Sequence, residues 1–277
     1  MNRSLQSSTI KVAGAELYFE SQGSGPALLM IPGGPADAGF FAAIVEELAG
    51  QFTVVCYDPR GNSRSVLDGE PAEQNVDVHG DDAAQLLAMF GEGPAFVLGS
   101  SGGAQIGLNL ASRHPERVRL LVAHEPPCVR LLPDAAEQGA FADDVYAIYK
   151  ASGVGAAMQR FAAHTGLGGP RPTTAAPPHP QTLAAYSRMR GNLEYFVAHG
   201  VKPISLYLPD IAALRGGKPR IMIGVGETSV GQLAYRAAMA LAGRLGVEPV
   251  LFPGGHAGFT EFPAEFAAKL REVLESA

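Results

Sequence analysis

A serine set between glycines, in Gly99-Ser100-Ser101-Gly102-Gly103, is where residue types and spacing in this chain most plainly offer chemistry. The hydroxyl of Ser101 is a potential nucleophile for acyl transfer. It becomes reactive at neutral pH only with a base within hydrogen-bond reach, and that base needs a third group to hold its tautomer. Chance matches to G-x-S-x-G are expected with 34 glycines in 277 residues, so the flanking sequence carries the reading. Ala95-Phe96-Val97-Leu98 is a short apolar run, and Ala104 to Ala111 has helical spacing. In a strand-turn-helix of this kind the serine takes a strained backbone conformation and the glycines let strand and helix approach closely. The helix N-terminus then directs N–H groups toward whatever the serine attacks.

The elements that must position Ser101 follow from the hydrophobic pattern. Thr9–Val12 and Glu16–Ser21 read as an edge hairpin with partial alternation. Ala27–Ile31, Thr53–Tyr57, Val118–Ala123 and Arg220–Val225 are apolar runs suited to strands buried on both faces. Between them lie helical patterns: one capped by Asp37 and carrying Phe40, Phe41, Ile44, Val45 and Leu48, and another over Val76–Phe90. A further helix is expected over 231–245, then a strand Pro249–Phe252 and a closing helix 263–274. Alternating strands and helices call for an α/β fold, a mostly parallel, eight-stranded twisted sheet with helices on both faces. Residues 126–218 differ in character: helical with irregular apolar spacing, and rich in Pro and Gly between Gly166 and Pro180. An insertion of this length is expected to be a helical cap on a core formed by residues 1–125 and 219–277.

Composition narrows the function classes. The chain is 47% hydrophobic and 17% charged, which supplies a substantial core. A net charge of −6 without any basic run argues against nucleic acid or an anionic membrane as partner. Cys56 and Cys128 do not make a disulfide framework. There is no C-x-x-C, H-E-x-x-H or Walker pattern, so neither metal nor cofactor is expected. Met1–Ser8 is polar and no long apolar run follows, so a cytoplasmic protein acting on a small molecule, as monomer or homodimer, is expected.

The order of elements, with Ile31-Pro32-Gly33-Gly34-Pro35, Asp58-Pro59-Arg60-Gly61, the serine turn and Gly255-His256-Ala257-Gly258-Phe259, resembles the α/β-hydrolase family over the whole chain except the cap. The resemblance implies a Ser-acid-His order in which His256, in the loop after the last strand, is the base for Ser101. Of the other histidines, His79, His114, His164, His179 and His199 lie in helical or loop stretches, and His124 ends a strand.

The acid departs from the commoner family pattern. Where most members carry an Asp after the strand ending at Val225, this chain has Ser229 within Gly226-Glu227-Thr228-Ser229. Two candidates stand: Glu125, directly after the strand that follows the serine turn, and Glu227 in the usual loop. A minority of members, including some lactone hydrolases, place the acid where Glu125 stands, so Glu125 is preferred and Glu227 is the alternative. The resemblance also implies an oxyanion hole from the N–H groups of Gly34 and Gly102, although Pro32-Gly33 stands where members often have His-Gly. Arg60 and Ser63 are expected to hold the loop beside it, and Asp58 lies on the wrong strand for a triad acid.

Dehalogenases and epoxide hydrolases of this fold carry an aspartate at the serine position, and the chain has no tryptophan, so both activities are disfavoured. The implied activity is hydrolysis of a carboxylic ester or lactone of a hydrophobic or aromatic molecule through an acyl-enzyme. Phe141, Tyr186 and Tyr195 are the candidate substrate contacts, among the cap aromatics and methionines Tyr146, Tyr149, Met158, Phe161, Met189 and Phe196. Alternatives on the same residues are C–C bond, amide or proline-peptide hydrolysis, a perhydrolase reaction, or a weakly catalytic ligand receptor.

Overall fold

Both faces of one sheet are covered, because its central strands are buried at nearly every position. The structure, a computed structural model, describes residues 4–167 and 179–276. Most of the Pro- and Gly-rich stretch noted above, residues 168–178, lies outside them. The strands are β1 (Gln6–Val12), β2 (Ala15–Gly23), β3 (Ala27–Ile31), β4 (Thr53–Tyr57), β5 (Val66–Leu67), β6 (Ala95–Ser100), β7 (Val118–His124), β8 (Arg220–Gly226) and β9 (Val250–Phe252). Eight run in the order β1-β2-β4-β3-β6-β7-β8-β9, and β5 adds a ninth by pairing with β2. Two residues are too few to give β5 a periodic signal in sequence. From β4 through β3, β6, β7 and β8 to β9 every pairing is parallel, while β1 and β2 are antiparallel.

The helices are α1 (Ala42–Leu48), α2 (Val76–Ala88), α3 (Gly102–Arg113), α4 (Ala135–Thr165), α5 (Pro180–Tyr195), α6 (Val201–Ser205), α7 (Ile211–Leu214), α8 (Leu233–Leu245), α9 (Gly258–Glu261) and α10 (Pro263–Glu275). Asp37 does cap a helical turn, accepting from the Gly39 N–H at 3.0 Å, but that turn is 3-10 (Ala38–Phe41) and leads into α1. Helices α4 to α7 all lie between β7 and β8, and α4 breaks at Gly153, where φ is 83° and ψ 175°.

Side-chain alternation divides the core. Leu29, Ile31, Val97, Leu121 and Ala123 point to one face, packing with residues of α2, α3 and α8. Their neighbours Leu28, Met30, Phe96, Leu98, Leu120 and Val122 point to the other, packing with α1 and α10. Each buried Val, Leu, Ile, Met or Phe among them contributes about 1.5–3 kcal/mol of transfer free energy. That two-sided burial makes the sheet a rigid frame, and the carboxyl ends of β3, β6, β7, β8 and β9 come out along one rim. Cys56 and Cys128 are free and buried.

Candidate active site

Ser101 stands between β6 and α3 with φ 56° and ψ −125°, a conformation that costs a non-glycine residue about 1–3 kcal/mol. Two features hold it there. The Ser101 N–H donates to the His124 carbonyl at 2.9 Å, extending the β6–β7 ladder one residue past Ser100 and His124. The flanking glycines permit the close crossing: a Cβ on Gly99 would meet Ala104 Cα at 2.6 Å, and one on Gly103 would lie 2.7 Å from the Ile31 carbonyl carbon.

The next strand end places the acid. Glu125 also has positive φ, at 48°, and its N–H donates to the Gly224 carbonyl at 2.9 Å. Its side chain is fully buried. One carboxylate oxygen, Oε1, accepts from the Gly226 N–H at 2.9 Å, and the other, Oε2, lies 2.6 Å from His256 Nδ1. Burial would raise this carboxyl, but the hydrogen bond and charge of His256, helped by the Gly226 N–H, outweigh it and hold it down at about 2. A buried, ionised carboxylate on Nδ1 fixes the imidazole orientation and leaves Nε2 for other work.

Glu227 has a different place. It is exposed, and its N–H continues the β8–β9 ladder to the Phe252 carbonyl at 3.0 Å. Ser229, where the commoner pattern has its acid, is fully buried, and its hydroxyl has no hydrogen-bond partner among the described residues. The structure thus brings Glu125, and not Glu227, to His256.

Gly34, Ser101, Gly102 and His256 line one cavity of about 730 Å³, measured out to its open mouth. No hydrogen bond joins the Ser101 hydroxyl to His256 among the described residues. Gly34, at φ 55°, follows β3, and a Cβ on Gly102 would lie 3.5 Å from the Gly34 nitrogen, so the two amide segments are neighbours. The remaining wall is largely apolar, with Phe141, Phe161, Phe196, Val201, Ile204 and Leu233. Phe141, one of the three candidate contacts, is part of this wall. Tyr186 and Tyr195 do not line this cavity: Tyr186 packs edge-to-face on Phe40 at 5.5 Å, and Tyr195 packs over Gly61 and against His199. They lie at helix faces turned toward the core, which aromatic type alone does not distinguish from a cavity wall.

Residues 26–161 match the family model described as alpha/beta hydrolase fold. Over 280 aligned residues the chain is 36% identical to a Bacillus subtilis protein named uncharacterized hydrolase YraK, with 98% of this chain and 97% of that protein covered. The chain belongs to the α/β-hydrolase family. This α/β hydrolase is also 35% identical over 128 residues to the zearalenone hydrolase of Cladophialophora bantiana, covering 44% of this chain and 48% of that protein. Its fold is similar to that of a thermophilic esterase from Thermogutta terrifontis, with a TM-score of 0.76, 21% identity and 98% of each chain covered.

Three other expected residues of the hydrolase have structural partners. Asp58 is fully buried, accepts the Ala38 N–H at 3.0 Å and is held by both Nε and Nη2 of Arg64 at 2.8 Å, which accounts for its charge away from His256. Arg60 does not reach the Gly33–Gly34 loop. It makes a two-pronged pair with Asp82 on α2, at 2.6 and 2.7 Å, because that buried carboxylate faces it. Ser63 does reach toward that loop, donating to Asp37 Oδ2 at 2.9 Å. No helix among the described residues is long and apolar enough to cross a membrane.

Proposed function

We propose that this α/β hydrolase is a serine hydrolase that cleaves a carboxylic ester or lactone of a hydrophobic or aromatic small molecule through an acyl-enzyme. One observation carries the reading: a buried, ionised Glu125 grips His256 Nδ1 at 2.6 Å on the wall of a cavity that also holds Ser101 on its strained turn.

In this reading His256 Nε2 takes the Ser101 proton as Oγ bonds to the carbonyl carbon. The Gly34 and Gly102 N–H groups stabilise the oxyanion. Its collapse breaks the acyl–oxygen bond, and the proton on His256 passes to the departing alcohol. Water, deprotonated by His256, then attacks the acyl-enzyme and releases the acid. The helices between β7 and β8 act as a cap, and the apolar wall of Phe141, Phe161 and Phe196 favours an apolar substrate.

The test is a pre-steady-state assay with p-nitrophenyl esters of graded acyl length and an aromatic lactone, on wild type and Ser101→Ala. A burst of p-nitrophenol in wild type that is absent in Ser101→Ala is expected. No turnover of any ester or of the lactone by wild type would overturn the reading.

A further inference from the structure

The loop after β3 that carries Gly34 has little backbone bonding of its own. Proline occupies positions 32 and 35, removing two N–H donors, and its internal bond is the Ala36 N–H to the Gly33 carbonyl at 3.2 Å. Gly33 and Gly34 are free to take many other conformations. Side-chain amides supply the order instead. Asn62 Nδ2 donates to the Gly34 carbonyl at 3.0 Å and the Ala36 carbonyl at 3.1 Å. Asn192, on α5, donates to the intervening Pro35 carbonyl at 2.8 Å.

Asn192 is buried, and both its amide hydrogens and its oxygen are engaged. Its second N–H goes to Ser63 Oγ at 2.8 Å, and its Oδ1 accepts the Ser63 N–H at 2.8 Å. Ser63 itself has positive φ, at 50°, a strain that persists only where surroundings enforce it. The Ser63 hydroxyl passes on to Asp37. One turn earlier on α5, Arg188 closes the circuit by donating to both oxygens of the fully buried Asp37, with Nη2 to Oδ1 at 3.0 Å. Arg188 and Asn192 are four residues apart and so share one helix face.

We infer that helix α5 is a positioning element for the oxyanion hole, with Asn192 setting the direction of the Gly34 N–H through the Pro35 carbonyl. This rests on the reading of Gly34 as an oxyanion donor given above. The inserted helices then act on the chemical step as well as on substrate binding, because losing the Asn192 tether lets the Gly34 peptide swing away from the developing charge.

The experiment compares wild type, Asn192→Ala, Asn192→Asp and Thr182→Val on the best p-nitrophenyl ester, with affinity for an alkyl boronic acid that forms a tetrahedral adduct on Ser101. Asn192→Asp keeps the size and the acceptor for Ser63 N–H while deleting the donor to Pro35. Thr182, also on α5, bonds the Gly39 carbonyl at 3.3 Å, outside the Gly33–Ala36 loop, and controls for general loosening of the helix. Either Asn192 variant that folds is expected to lose about tenfold to hundredfold in kcat with KM little changed, and to lose boronate affinity in parallel. Thr182→Val is expected to keep wild-type kcat. Unchanged kcat in a folded Asn192 variant, or an equal loss in Thr182→Val, overturns the inference. A wild type without a Ser101-dependent burst overturns the functional reading instead, so the two failures are distinguishable.

Discussion

Two glutamates at the ends of adjacent strands had equal claims by type, and one geometric fact separates them. Glu125 follows β7, which lies directly between β6 and β8, so its carboxylate enters the rim beside Ser101 and is buried there. Glu227 is one strand further out and faces solvent. The family resemblance preferred Glu125, but spacing in sequence does not itself show which strand ends are neighbours or which loop turns inward. Glu125→Gln should keep the fold but leave His256 Nδ1 opposite an amide, favouring the wrong tautomer. A loss of about 10⁴-fold in kcat is expected, by analogy with triads whose acid becomes an amide. Glu227→Gln should stay near wild type, and steady-state kinetics of the pair checks both; the reverse pattern would move the acid role to Glu227.

Elements built on strong local rules were legible, and elements built on long-range contacts were not. The buried parallel strands showed as continuous apolar runs, and the serine turn showed through its glycines and the helix behind it. The bonds from Asn192 to the Pro35 carbonyl and from Arg188 to Asp37 left no trace, since single polar residues on a helix with irregular apolar spacing read as ordinary solvent-facing positions. The cavity wall was legible in part: Phe141 belongs to it, while Tyr186 packs on Phe40 and Tyr195 over Gly61. The strand-to-helix crossing makes its own prediction. Gly103→Ala would push a methyl group into the backbone of Ile31, which cannot rotate away as a side chain could. Its cost should reach the upper end of about 1–3 kcal/mol in denaturant unfolding, with activity lost in the folded fraction. An Ala variant with wild-type stability and kcat would mean that β3 and α3 do not cross as closely as described.

At the scale of the whole molecule, the sheet buries one histidine on each side. His79 on α2 sits in one layer, with Nε2 at 3.1 Å from Gln74 Oε1 and Nδ1 without a partner among the described residues. His124 sits in the other, ringed by Phe252, Phe259 and Phe266, and neither ring nitrogen has a hydrogen-bond partner among the described residues. Burial pulls His79 down from 6.5 to about 3, with the Arg60 charge adding to it. Burial also pulls His124 down from 6.5 to about 4, although Glu125 beside it works the other way and His256 works with burial. A base neutral when folded but protonated when unfolded makes stability rise with pH between its folded and unfolded values. For His124 the stabilisation is therefore present above 6.5 and is lost as pH falls toward about 4. That interval of about 2.5 in pH corresponds to about 3 kcal/mol. The Glu125 carboxylate adds a separate loss only below 4.5, as it protonates toward about 2. Urea unfolding of wild type and His124→Leu from neutral pH down to about 4.5 separates these contributions, because the leucine cannot take up a proton. The wild-type curve should fall more steeply than that of His124→Leu, the gap narrowing or reversing toward low pH. Parallel curves would mean that His124 takes its proton equally well in the folded chain, and the ring among the three phenylalanines would then need a polar partner.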